Sequence, residues 1–279
     1  MEEKKQDNPE IGKTISAGGI ATNYHDFGSG DPVVLIHGSG PGVTAWANWR
    51  MVFPKLTATR RVIAPDMVGF GYTERPAGIT FSLNTWGKHF VDFLDALKLE
   101  KVDLVGNSFG GAIALWMAIK HPSRIRKLVL MGSAGTEFKI TKGLDDVWGY
   151  TPSFEAMRAT ISSFVYNKAL ATDDLIKMRY EASVRPGYQD TFGRMFPAPR
   201  QKGVDGMAIN YADIAAIEHP TMIIHGREDQ VVPTETSLTL FSLIPNAQLH
   251  MFGKCGHWTQ IEQNAHFVAL VEAFLADSL

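Results

Sequence analysis

Short, wholly apolar runs alternate along this chain with longer stretches in which apolar residues recur at helical spacing. No other feature constrains the fold as much. VVLIHG (33–38), RVIAPD (61–66), VDLVGN (102–107), RKLVLMG (126–132), TMIIHG (221–226) and AQLHMFG (247–253) read as strands by length, β-branched content and their stops. In most of them the apolar residues are consecutive rather than alternating with polar ones, which buries both faces of a strand. Such strands belong to a parallel sheet covered by helices on both sides.

The helices fit that sheet. SLNTWGKHFVDFLDALKL (82–99) carries Trp86, Phe90, Phe93, Leu94 and Leu97 at helical spacing, with Ser82 placed as N-cap. FGGAIALWMAIKH follows the third strand as a helix, and WTQIEQNAHFVALVEAFLADS reads as one closing helix. Residues 10–28 are less regular and are expected to form an antiparallel edge. From about 134 to 214 no strand is expected. SFEAMRATISSFVYN and TDDLIKMRYEASV read there as helices and FPAPRQKGVDG as loop. The expected organisation is a core built from residues 1–133 and 215–279, with residues 134–214 inserted between two strands as a helical lid. A lid over the carboxyl edge of an open α/β sheet covers the place where such sheets bind ligands, and it excludes water there.

Several function classes are disfavoured. The net charge of −2 and the lack of a basic run argue against nucleic acid and anionic membrane surfaces as partners. No stretch of about 18 apolar residues exists to span a bilayer. The polar start MEEKKQDNPEIGK has no apolar segment of the secretory kind, so the expected location is the cytoplasm. A single cysteine, Cys255, leaves no disulfide framework and no multi-cysteine zinc site.

Chemistry enters at GNSFGG (106–111), the joint between the third strand and its helix. G-x-S-x-G in that position is a nucleophile elbow, a turn so tight that Gly106 and Gly110 leave no room for a Cβ. Ser108 is thereby presented outward, over the N–H groups that open the helix. A serine needs a base and a group that orients the base. GREDQVVP (226–233) follows the fifth strand and offers Glu228 and Asp229, and CGHW (255–258) follows the sixth and offers His257. Asp229 and His257 fall on the same sheet edge as Ser108, in the chain order Ser, Asp, His of α/β-hydrolases. His225 is a rival base, but it lies inside its strand. Cys255 has no elbow and reads as a small buried residue. For the oxyanion, the backbone N–H of Phe109 is one donor, and Ser39 in the glycine-rich loop HGSGPG (37–42) is the other.

HGSGPG followed by AWANW, then GNSFGG, GREDQVVP and CGHW, resembles one family along nearly the whole chain: the α/β-hydrolases that cleave carbon–carbon bonds in the meta-ring-fission products of aromatic degradation. GLDDVWGYTPSF and MFPAPRQ look most like the branch acting on 2-hydroxymuconate semialdehyde and close alkyl analogues. The resemblance implies an α/β-hydrolase fold and a small-molecule substrate, a 2-hydroxy-6-oxohexa-2,4-dienoate with a small group at C6. It implies hydrolysis at C5–C6, no metal or organic cofactor, and a homo-oligomer of two or more chains. It also implies that Asn48, Asn107, Arg185 and Trp258 hold the carboxylate end of the substrate. Two alternatives use the same residues: a carboxylesterase or thioesterase of this fold, and a ligand-binding receptor whose lid signals closure. Phe154, Met157, Ile161, Phe164, Phe192 and Met195 are each either lid core or pocket wall.

Overall fold

The computed structural model describes residues 8–278; the polar start MEEKKQD and Leu279 lie outside them. The strands are β1 (Lys13–Ala17), β2 (Ile20–Phe27), β3 (Pro32–Ile36), β4 (Arg61–Pro65), β5 (Val102–Asn107), β6 (Ile125–Met131), β7 (Thr221–Gly226) and β8 (Ala247–Phe252). They form one sheet in the order β1-β2-β4-β3-β5-β6-β7-β8. The hairpin β1–β2 is the expected antiparallel edge, and β2 joins β4 antiparallel, while every pairing from β4 to β8 is parallel.

The unbroken apolar runs have a simple physical basis. Successive side chains of a strand point to opposite faces. Val34 and Ile36 of β3 enter one core layer with Leu104, Leu128, Leu130 and Ile223, packed against Phe90, Phe93, Ile113 and Leu240. Val33 and Leu35 enter the other with Val105, Val129, Met222 and Ile224, packed against Trp49, Phe53, Phe267 and Val271. A polar residue on either face would sit unpaired in a dry layer.

The helix Leu83–Ala96 starts where Ser82 accepts a hydrogen bond from the Thr85 N–H. Two sequence expectations are corrected. The closing helix is broken at Gln263 (φ −116°, ψ 33°) into Thr259–Glu262 and Asn264–Leu275. The segment expected as loop in FPAPRQKGVDG contains a short helix, Gln201–Asp205. Between β6 and β7 the chain is helical and has no strand, with Phe154–Phe164, Asp173–Ser183 and Tyr188–Met195 its longest helices. This insertion packs a core of its own, in which Tyr150, Met157, Ile161 and Ile176 are buried together. Among the described residues no helix is long and apolar enough to cross a membrane.

Candidate active site

The elbow is as tight as its glycines imply. A Cβ on Gly106 would stand 2.4 Å from the Gly110 carbonyl oxygen, and one on Gly110 would stand 2.3 Å from the Ile36 carbonyl oxygen. Between them Ser108 has φ 55° and ψ −114°, a left-handed conformation that a residue with a side chain adopts only under constraint. The constraint is backbone bonding on both sides. Ser108 N–H donates to the Met131 carbonyl at 2.9 Å, and its own carbonyl accepts from Ala134 at 3.1 Å and Gly111 at 2.9 Å. The Phe109 ring is core, edge-on to Trp86 at 4.7 Å. It fixes the helix Phe109–Lys120 so that its N-terminal N–H groups stay at the site.

Asp229 and His257 come together at the neighbouring strand ends. His257 Nδ1 lies 2.6 Å from Asp229 Oδ2, and both side chains are buried. The other carboxylate oxygen, Oδ1, accepts the N–H groups of Val231 (2.7 Å) and Val232 (3.0 Å). Burial opposes ionisation of Asp229, but the charge of His257 and hydrogen bonds from His225 and His257 outweigh it, so its pKa lies well below the usual carboxylate range. The pairing keeps a His257 proton on Nδ1 and leaves Nε2 free to accept another. Glu228, the other acid of the motif, instead accepts the Cys255 N–H at 3.0 Å. His225 stands behind Asp229. Its Nε2 is 3.1 Å from both Asp229 Oδ2 and the Val232 carbonyl, and its Nδ1 is 2.6 Å from Ser237 Oγ. Two acceptors at Nε2 put its proton there and make Ser237 the donor to Nδ1, so His225 braces the acid. Burial pushes the Cys255 thiol up to about 12, which keeps it protonated and unreactive.

The sequence gives no warning of Gly132, at the end of β6. Its φ is +47°, and a Cβ there would lie 3.2 Å from His257 Nδ1 and 3.3 Å from Asp229 Oδ2. The acid–base pair therefore occupies space that only glycine leaves free.

HGSGPG lies over the elbow. A Cβ on Gly38 would be 3.6 Å from the Ser108 Cβ. The loop is pinned by His37, whose Nδ1 is 2.6 Å from the Gly38 carbonyl and whose Nε2 accepts the Met67 N–H at 3.0 Å. Trp148, from the insertion, donates its indole N–H to Ser39 Oγ at 3.0 Å. Among the described residues neither the Ser39 nor the Phe109 backbone N–H has a hydrogen-bond acceptor.

A narrow cavity of about 30 Å³ adjoins this constellation, lined by Ser39, Asn48, Asn107, Arg179, His257 and Trp258 among others. Trp258 stacks on Phe164 at 4.8 Å and closes one wall. Arg185 is not part of it. The Arg185 guanidinium lies on the Tyr72 ring at 3.9 Å and donates to the carbonyls of Ala182 and Gly71, in a separate outer cleft. Two other arginines line the cavity, Arg50 from the core and Arg179, six residues before Arg185 on the same stretch of the insertion. Arg179 is 5% exposed, one terminal nitrogen (Nη2) donates to the Pro41 carbonyl at 3.1 Å, and the other, Nη1, is buried without a partner. Asn48 Nδ2 is likewise buried and unpartnered. A signal for Arg179 exists in the sequence: it falls on the buried stripe of Asp173–Ser183 with Ile176, Ala182 and Ser183, where a cation has no structural reason to be. Of the six insertion side chains with two readings, Phe164 alone lines the cavity. Met157, Ile161, Phe192 and Met195 are core, and Phe154 is exposed.

The wider comparisons agree with this geometry. A family profile described as alpha/beta hydrolase fold matches residues 31–263. A 2-hydroxymuconate semialdehyde hydrolase of Pseudomonas sp. (strain CF600) is 59% identical over 98% of this chain and 96% of its own length. A 2-hydroxy-6-oxo-2,4-heptadienoate hydrolase of Pseudomonas putida is also 59% identical, over 96% of this chain and 98% of its own. Among solved structures, a variant of the meta-cleavage product hydrolase of Pseudomonas fluorescens IP01, complexed with acetates, superposes with a TM-score of 0.96 at 54% identity, covering 98% of this chain and 100% of that one. With elbow, acid–base pair and an adjoining cavity on one sheet edge, the chain belongs to the α/β-hydrolase family, among its meta-cleavage product hydrolases.

Proposed function

We propose that this protein hydrolyses the C5–C6 bond of 2-hydroxymuconate semialdehyde and small 6-alkyl analogues, giving 2-hydroxypenta-2,4-dienoate and formate or a small carboxylic acid. The observation that carries the reading beyond a generic esterase is the pair of unpartnered buried donors, Arg179 Nη1 and Asn48 Nδ2, in the cavity that also reaches His257. A buried guanidinium without a carboxylate suits a substrate that brings its own. Arg179 thus takes the role first expected of Arg185, with Asn48, Asn107 and Trp258 around the same polar end.

The chemistry follows from the assigned groups. Carbon C5 cannot leave as a bare carbanion, so the dienol first becomes a ketone by moving its proton to C5. His257 Nε2 carries that proton, with Nδ1 held on Asp229. Ser108 Oγ then adds to the C6 carbonyl, giving its proton to His257, and the N–H groups of Ser39 and Phe109 take the oxyanion. Collapse breaks C5–C6 and leaves the electron pair on the dienolate, which is protonated. The acyl group remains on Ser108 until water, deprotonated by His257, releases it as the acid. The protein's own groups and water suffice for each step.

In this reading residues 134–214 act as a lid, since Trp148, Phe164, Arg179 and Trp258 close the site between insertion and core. A cytoplasmic location and a homo-oligomer of two or more chains belong to the same reading. The exposed Leu238 and Phe241 beside edge strand β8 support the second; light scattering at the monomer mass would contradict it. The functional test is spectroscopic. The yellow semialdehyde should lose its visible absorbance on mixing with the protein and keep it with Ser108→Ala; bleaching by both proteins, or by neither, refutes the assignment.

A further inference from the structure

Of the twelve arginines in the sequence, seven lie 2.6–3.7 Å from a carboxylate oxygen. Among the described residues five have no such partner, and four of those five, Arg50, Arg75, Arg179 and Arg185, gather in one place. Arg75 and Arg185 donate to the same Gly71 carbonyl, at 3.4 and 2.8 Å, and both guanidiniums lie near the Tyr188 ring, at 5.9 and 5.7 Å. Arg185 and Arg50 line an outer cleft of about 580 Å³. Arg50 also lines the inner cavity, where Arg179 is the innermost cation. The carboxylates of the cleft are Glu10 and Glu181. Taken together, the cleft and the inner cavity are lined, among the described residues, by three guanidiniums, Arg50, Arg179 and Arg185, against two carboxylates, and Arg75 adds a fourth cation just behind, on the Gly71 carbonyl it shares with Arg185.

Nothing in the fold calls for this arrangement. Like charges held close repel, and here carbonyls and aromatic faces, not acids, keep them in place. The inner cavity, at about 30 Å³, is far narrower than the outer cleft at about 580 Å³. An anionic substrate on this path meets the wide cleft before the narrow cavity. We infer that the outer cleft is a capture vestibule for small carboxylates. Arg185 meets the anion, Arg75 adds its charge from behind the shared Gly71 carbonyl, Arg50 stands at the boundary, and Arg179 receives it inside. The inference rests on the proposed function and gives Arg185 a role in access rather than in the bound complex. Positive clefts walled by low-dielectric protein raise the on-rate of anions, and salt removes the gain.

The test is the stopped-flow binding rate of the yellow dienoate to the non-hydrolysing Ser108→Ala protein, at low and high ionic strength. In that background Arg185→Gln and Arg75→Gln should each slow association about threefold to tenfold at low salt. Glu181→Gln, which removes a negative charge, should speed it about twofold. These differences should collapse at about 0.5 M salt. A change that follows the sign of the charge is not expected of a loosened fold. Equal rates at low salt, differences that persist at high salt, or slowing in Glu181→Gln would overturn the vestibule while leaving the functional reading intact. No dienoate binding to Ser108→Ala at any salt would overturn the functional reading and the vestibule with it.

Discussion

Replacing Arg179 with glutamine separates recognition of the substrate from upkeep of the fold. The guanidinium is 5% exposed and has Nη1 unpartnered, and among the described residues no carboxylate lies in ion-pair range. Burial lowers its pKa, so the protein bears a desolvation cost for this charge. The fold then has little to lose with the charge: one hydrogen bond to the Pro41 carbonyl disappears, worth about 1 kcal/mol, and a buried charge goes with it. The melting temperature should stay within a few degrees or rise. Catalysis should behave differently. A substrate carboxylate on a buried guanidinium is worth about 2–4 kcal/mol, and at 1.36 kcal/mol per decade its loss lowers kcat/KM about 30-fold to 1,000-fold. The assay pairs the dienoate with a small neutral aryl ester on the same preparations. With the proposed roles, the ester would use Ser108, His257 and the Ser39 and Phe109 N–H groups but offer Arg179 nothing, so its kcat/KM should fall far less. Equal losses on both substrates, or a loss that tracks a lowered melting temperature, would refute the reasoning.

Three other outcomes follow from particular contacts. Gly132→Ala places a methyl 3.2 Å from His257 Nδ1 at φ +47°, so kcat should fall at least about tenfold on dienoate and ester alike; near wild-type turnover would show that the pair has room to shift. Glu262 accepts the N–H groups of Gly256 (2.6 Å), Asn167 (2.8 Å) and Tyr166 (3.0 Å), tying the His257 loop to the insertion. Glu262→Gln should cost about 1–3 kcal/mol in urea unfolding and lower kcat, and an unchanged midpoint would discount the tie. His89 is held at about 4 by burial, with Nδ1 accepting the Val68 N–H and Nε2 2.9 Å from the Thr22 hydroxyl. Because its folded pKa is depressed, the unfolded chain protonates first, and stability is lost as pH falls from about 6.5 to about 4. Relative to His89→Gln, the wild type should lose about 3 kcal/mol between pH 7 and pH 4; a difference that does not move with pH would contradict this.

The parts of the molecule legible in the sequence are those fixed by short-range rules. The central strands announce themselves because both their faces are dry, so few polar residues interrupt them; edge strand β8, with Gln248 and His250, is partly exposed and alternates. Ser108 is legible because its turn is so cramped that Gly106 and Gly110 become obligatory, and Asp229 and His257 because each follows the end of a strand on one sheet edge. Contacts made only in three dimensions were not legible. Arg185 and Arg179 both belong to the inserted segment; the apolar spacing around Arg179 hints at burial, but only the packing of Asp173–Ser183 decides that one faces the cavity and the other lies on Tyr72. Gly132 looks like an ordinary strand end until His257 arrives from 125 residues away. Met157 and Ile161 are spaced like any amphipathic face, and spacing does not say whether that face meets a substrate or another helix. Gln263 breaks the last helix without a proline or glycine to mark the place.

Every assigned residue serves one claim, that a carbon–carbon bond is the one broken. Product analysis tests it directly. Incubated with 2-hydroxymuconate semialdehyde, the protein should release one equivalent each of formate and 2-hydroxypenta-2,4-dienoate for every equivalent of yellow compound lost. Loss of colour without formate, or an intact six-carbon product, would contradict the account.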